Sequence, residues 1–98
     1  MEPQESGRIT KRAEDLVALV AATFPDADEG GEVSQWFEVG EWQISVQMLC
    51  EYFWGLHAGM VPASMYDELV ALAQILKVEP LHWQRLTAST ETRAAVGP

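Results

Sequence analysis

Trp42, Val46, Leu49, Phe53 and Leu56 recur at intervals of four, three, four and three residues. That spacing tracks the turn of an α-helix, so it predicts one over Glu41–His57 with a continuous apolar face pointing inward. Gln43, Gln47, Glu51, Trp54 and Ala58 then fall on the opposite face. Gly40 and Gly59 bracket the segment, and glycine is the usual residue just past a helix end.

Two more stripes of the same period flank this one. Ile9, Ala13, Leu16, Val17, Val20 and Phe24 define a helix that Pro25 stops. Met65, Tyr66, Leu69, Leu72, Ala73 and Leu76 define another, opened by Val61-Pro62 and closed by Lys77, a cation that complements the helix dipole. Asp26–Ser34 reads as a loop around Gly30-Gly31, unless its end begins a short helix through Trp36, Phe37 and Val39. After Glu79-Pro80, Leu81–Leu86 is a short final helix or turn. No repeat occurs, and no alternating pattern exceeds about four residues, so β structure is unsupported. The expected fold is all-α, a compact antiparallel helical bundle of three main helices plus one or two short ones. Residues 1–7 are expected to be a flexible N-terminus, 8–86 a single helical domain, and 87–98 a flexible C-terminal tail.

The 98 residues suffice for one small domain. Such a domain is marginal, burying roughly 60–65% of its unfolded surface, and four tryptophans help because large aromatics bury much area each. The longest uncharged stretch, Tyr52–Tyr66, contains Gly55, His57, Gly59 and Pro62, so no membrane span is expected. A single cysteine, Cys50, cannot close an intramolecular disulfide, which excludes a stapled secreted scaffold. Lys11-Arg12 ahead of Leu16–Phe24 faintly echoes a signal peptide. Glu14-Asp15 at the junction and the lack of a small-x-small cleavage site fit an amphipathic helix better. The chain reads as a cytoplasmic binding module.

Fifteen acids against six bases leave a formal charge of −9, which argues against nucleic-acid binding. Between Arg12 and Lys77 lie 64 residues with eleven acids and no lysine or arginine. Such segregation costs stability through self-repulsion, and it accelerates encounter with a cationic partner. Nuclease active sites are cationic because they hold phosphates, so a protein that blocks one tends to be acidic. The residues expected to contact a partner are Asp28, Glu29, Glu32, Glu38, Glu51 and Trp54. Trp54 lies one turn from Glu51 on the polar face, as a binding hot spot would; alternatively it packs under the Asp26–Ser34 loop or the tail. Glu41 fits a capping role at a helix start.

No catalytic, cofactor or metal site is expected. Asp26-x-Asp28 before Gly30-Gly31 has the flavour of a calcium loop, but Gly30 and Phe37 occupy positions five and twelve, where oxygen ligands are required. His57, His82 and Cys50 lack any paired zinc spacing. Cys50 has no cationic neighbour to activate it and reads as an inert apolar thiol. Gly55-Leu-His-Ala-Gly59 matches a small-xxx-small pattern, which means little outside an apolar segment long enough to cross a membrane.

Gly40–Pro80 resembles the small helical immunity proteins of bacterial polymorphic toxin systems, in particular the MafI-like group. The shared pattern is a Gly-Glu dipeptide, an aromatic, a long helix with a central Leu-Cys, a short turn, then a helix with Tyr and Leu. Here these are Gly40-Glu41, Trp42, Leu49-Cys50, Gly59–Pro62, and Tyr66 with Leu69; Trp83 and Leu86 also fit. The chain departs from the pattern at Pro62, where a polar cap is usual, and near Gly55, where an acid is usual. The resemblance implies tight binding and neutralisation of a cognate toxin, commonly a nuclease, in the producing cell. The toxin would present a basic surface, and the free protein would be a monomer or weak dimer. The alternative is a self-associating helical adaptor or regulatory protein without enzymatic activity.

Overall fold

The computed structural model describes residues 3–89, with side chains from Gly7 onward. In chain order these form α1 (Pro3–Thr23), a 3-10 segment (Pro25–Gly31), α2 (Glu32–Glu38), α3 (Trp42–Leu56), β1 (Met60–Pro62), α4 (Ala63–Ile75), α5 (Pro80–Trp83) and β2 (Thr87–Ser89). The described chain is mostly helical. Helix α1 starts at Pro3, earlier than the expected boundary at residue 8. Proline suits a first helical position, where an N–H would have no helical partner.

The three stripes build the core. Ile9, Ala13, Leu16, Val17 and Val20 of α1 meet Val46, Leu49, Cys50 and Phe53 of α3 and Met65, Leu69, Leu72 and Ala73 of α4 in one buried cluster. Leu56 is a correction: it is 68% exposed. Three residues beyond Phe53 are about 300° of helix rotation, which carries Leu56 off the centre of the stripe in the last turn. His57 takes the inward place, its ring 5.0 Å from that of Phe24 and 5.7 Å from that of Phe53.

Ser45 is fully buried on α3. Its hydroxyl donates to the Val33 carbonyl at 2.9 Å, tying α3 to α2. Without that bond a buried hydroxyl would cost roughly 1–3 kcal/mol. Across the fold, Arg12 of α1 grips Glu68 of α4 through Nε at 2.9 Å and Nη2 at 2.7 Å. The Arg12 hydrogen bond holds the Glu68 carboxyl below its ordinary value. A carboxylate whose folded-state pKa is lowered contributes stability above its unfolded pKa, and that contribution vanishes as pH falls through the lowered value. Both side chains are more than a third exposed, so solvent screening limits the pair to about 0.5–1 kcal/mol. Glu68→Gln should therefore cost about that much at neutral pH and nothing well below pH 4. Urea midpoints for both proteins at the two pH values would check it; an equal loss at both would show that the charge is irrelevant.

Two β-strands correct the all-helical expectation. β1 and β2 pair in parallel, with Met60 opposite Thr87, Val61 opposite Ala88 and Pro62 opposite Ser89. The Thr87 N–H donates to the Gly59 carbonyl at 2.8 Å, just ahead of the ladder. Thr87–Ser89 is thus part of the fold rather than the start of a tail, whereas residues 90–98 of that expected tail lie outside the described residues. The intervening α4 and α5 form the crossover that a parallel pair requires. Buried Val61 and Leu86 lie within and beside the ladder and seat it on the core.

Gly59 begins this turn at a φ of 80°, and a Cβ there would lie 2.8 Å from the Arg85 carbonyl oxygen and 3.2 Å from the Trp54 ring. Only glycine fits. Lys77 also has a positive φ, 60°, where it ends α4 and lets the Val78 N–H reach the Ala73 carbonyl at 2.8 Å. A non-glycine residue pays strain in that region. Lys77→Gly should raise stability by about 0.5–1 kcal/mol, read as an upward shift in the thermal midpoint; a downward shift would mean the lysine charge at the helix end outweighs backbone strain.

Candidate functional site

The acids singled out from the sequence divide between two places. Asp28, Glu29, Glu32 and Glu38 lie on the 3-10 segment and α2. Glu51 and Trp54 lie on α3, beside α5.

In the first group Asp28 is committed to architecture. Its Oδ1 accepts the N–H groups of Val33 at 2.9 Å and Ser34 at 3.2 Å, and its Oδ2 accepts the Ser34 hydroxyl. The carboxylate thereby satisfies donors in the first turn of α2, which otherwise have no helical partner. This is why the expected Asp26–Ser34 loop is shorter than its polarity implies, with α2 starting at Glu32. Glu29, Glu32 and Glu38 are exposed, as is Glu41, which stands just before α3 without the side-chain capping bond expected of it. Among the described residues no ion pair involves any of them. The side chains of Trp36, 38% exposed, and Val39, 65% exposed, stand on the same short helix and its end. Val33 anchors this helix on the core and Phe37 is half-buried, its ring 6.4 Å from that of Trp42. The result is an acidic surface interrupted by apolar side chains and pinned to the bundle from below.

A hydrogen-bonded relay fixes the segment leading into it. Tyr52 donates its hydroxyl proton to Asp26 Oδ1 at 2.6 Å. Its oxygen then accepts from Nε2–H of His57 at 2.9 Å, since the only hydroxyl proton is already spent. Burial and the Asp26 carboxylate push the Tyr52 phenol up to about 12. The Phe24 ring meets Tyr52, Phe53 and His57 edge-on, so the relay has an aromatic floor.

The second group is not purely acidic. Trp54 is 45% exposed, and one face of its ring is covered by the Arg85 guanidinium at 4.7 Å. Nδ1 of His82 lies 3.5 Å from the Glu51 carboxylate. These four side chains and Leu81 line a cavity of about 120 Å3. Sequence spacing found Glu51 and Trp54 but missed His82 and Arg85. They arrive from more than 25 residues later, and no local pattern ties them to α3.

Cys50 is fully buried, and that burial pushes its thiol up to about 12, which leaves it without the thiolate needed for nucleophilic chemistry near neutral pH. No group of three or more His, Cys, Asp or Glu side chains among the described residues could hold a metal ion. Among them, too, no helix is long and apolar enough to cross a membrane. Comparisons with family models, curated proteins and solved structures return no match.

Proposed function

We propose that this protein is an immunity protein that binds and neutralises a cognate bacterial toxin domain in the cytoplasm, covering a cationic groove with its acidic surface. The observation that carries the reading is the set of exposed carboxylates Glu29, Glu32, Glu38 and Glu41, which form no ion pair among the described residues and share their stretch of chain with the exposed Trp36 and Val39. Unpaired charges steer a cationic partner into an encounter, and aromatic and aliphatic side chains among them supply the desolvated contacts that hold it. A nuclease domain fits that partner, since it presents cations to phosphate. The helices act as an antiparallel bundle that holds this surface rigid. The resemblance of Gly40–Pro80 to MafI-like immunity proteins supports the same reading. Glu51 and Trp54 extend the contact only if the partner also reaches past α5. Neutralisation here is binding alone, with no cofactor and no chemistry by this chain.

Immunity genes usually adjoin their toxin genes, so the test is co-expression with the C-terminal domain encoded by the neighbouring reading frame. Host survival together with a stable co-purifying complex is the expected result. Toxicity unrelieved, with no complex, overturns the reading for that partner.

The exposure of Leu56, Leu81 and Trp54, at 68%, 56% and 45%, favours a second reading, a self-associating adaptor. Sedimentation at micromolar concentration separates the two: a monomer when free supports the immunity role, and a stable dimer supports the adaptor.

A further inference from the structure

The groove between α1 and α2 has a composition the acidic surface alone does not explain. Val17, Ala18 and Ala21 of α1 and Ser34 and Phe37 of α2 line a cavity of about 230 Å3, and Glu14 and Glu38 line it as well, both exposed. An apolar cleft with carboxylates at its opening suits one type of side chain: a long aliphatic stem ending in a cation. The cations closest to Glu14 along α1 pair with other carboxylates, Lys11 with Asp15 at 3.1 Å and Arg12 with Glu68 at 2.7 Å, although Lys11 also feels the Glu14 charge. No ion pair among the described residues involves Glu38.

We propose that this groove receives an arginine side chain of a basic protein partner, its stem lying on Val17, Ala18, Ala21 and Phe37 and its guanidinium meeting Glu14 and Glu38. Arginine fits better than lysine because its planar head donates to two carboxylates at once and stacks on an aromatic ring. The proposal rests on the reading that the protein binds a basic partner, and it names the contact through which it does so. It also accounts for a groove left open beside α2, since Ala18 and Ala21 of α1 are too small to fill the space before Phe37 and leave burial that a partner can recover.

The test uses the full chain labelled with 15N and an acetylated, amidated alanine-rich helical peptide bearing arginines, titrated at about 50 mM salt so that screening is modest. A peptide with citrulline at each arginine keeps the shape and removes the charge. The expected result is amide shifts concentrated at Val17, Ala18, Ala21, Phe37 and Glu38, with the citrulline peptide about tenfold weaker or more. Ala21→Leu fills the groove without altering any charge and should weaken the arginine peptide about tenfold, as should Glu14→Gln with Glu38→Gln. Asp67→Asn with Glu79→Gln removes equal charge from exposed positions away from the groove and should change binding less than about threefold. Ala18→Leu serves if Ala21→Leu fails to fold.

Equal binding of the citrulline peptide would overturn the cationic occupant. Binding that ignores Ala21→Leu and shifts other amides would overturn the groove while leaving an acidic binding surface in place. No binding by either peptide would overturn the groove too; the toxin reading is judged separately, by rescue in co-expression.

Discussion

Reversing Glu29, Glu32 and Glu38 together to lysine should slow association with the cognate toxin domain by roughly 10- to 1,000-fold at low ionic strength. Each reversal adds two charges, so the formal charge moves from −9 to −3, and all of the change falls on the 3-10 segment and α2. Electrostatic steering acts on the encounter, so the association rate should fall much more than the dissociation rate rises. The dependence of that rate on salt should flatten, because screening has less attraction to remove. Asp28 is left in place because its carboxylate holds the first turn of α2, and replacing it would confound binding with folding. Glu32 opens α2, so lysine there opposes the helix dipole at about 0.3–1 kcal/mol, too little to unfold the domain. Stopped-flow association across a salt series, with a thermal melt of the variant, measures both. An unchanged rate and an unchanged salt slope would rule out steering by this surface.

Phe53→Ala should destabilise the fold by about 3–5 kcal/mol, a large part of the roughly 5–15 kcal/mol that holds a domain of this size together. Phe53 is fully buried, its ring 5.4 Å from Phe24 and 5.2 Å from Tyr52. Truncation therefore opens a void beside Phe24 and removes an aromatic neighbour of Tyr52 and His57 in the relay. Leu56→Ala, three residues on, should cost less than about 0.5 kcal/mol, because an exposed side chain has little burial to lose. Denaturant midpoints for the two variants decide it. Similar costs would mean that Leu56 is covered in solution, as the adaptor reading requires of one of its exposed apolar side chains.

That pair of variants also shows how far helical spacing reads. The stripes of α1 and α4 were legible nearly residue by residue, since Ile9, Ala13, Leu16, Val17, Val20, Met65, Leu69, Leu72 and Ala73 are all buried. Along α3 the same arithmetic placed Val46, Leu49 and Phe53 inward and failed at Leu56. Burial at a helix end depends on which neighbours extend that far. Ser45 escaped notice for a related reason, because a serine is buried only when a partner such as the Val33 carbonyl comes within reach. The two short strands had no signal of their own. Three residues cannot display an alternation, and a parallel pair is joined by a crossover rather than a recognisable tight turn.

Of the candidate binding residues, the charge count picked out acids without distinguishing the parts they play in the fold. Asp28 and Glu29 are adjacent and equally acidic, yet Asp28 starts a helix and Glu29 is exposed. Trp54 was placed on the polar face, and it does stand half out of the core, but with Arg85 over its ring. The amino-acid sequence alone determined the helices, most of their inward faces and the long uncompensated run of acid, because periodicity and charge are properties of neighbours along the chain. Tertiary structure alone decided the β1–β2 pairing, the Asp26–Tyr52–His57 relay, the Arg85 cover on Trp54 and the open groove between α1 and α2. Each of these depends on residues far apart in the chain meeting at a few ångströms, a distance that no local pattern records.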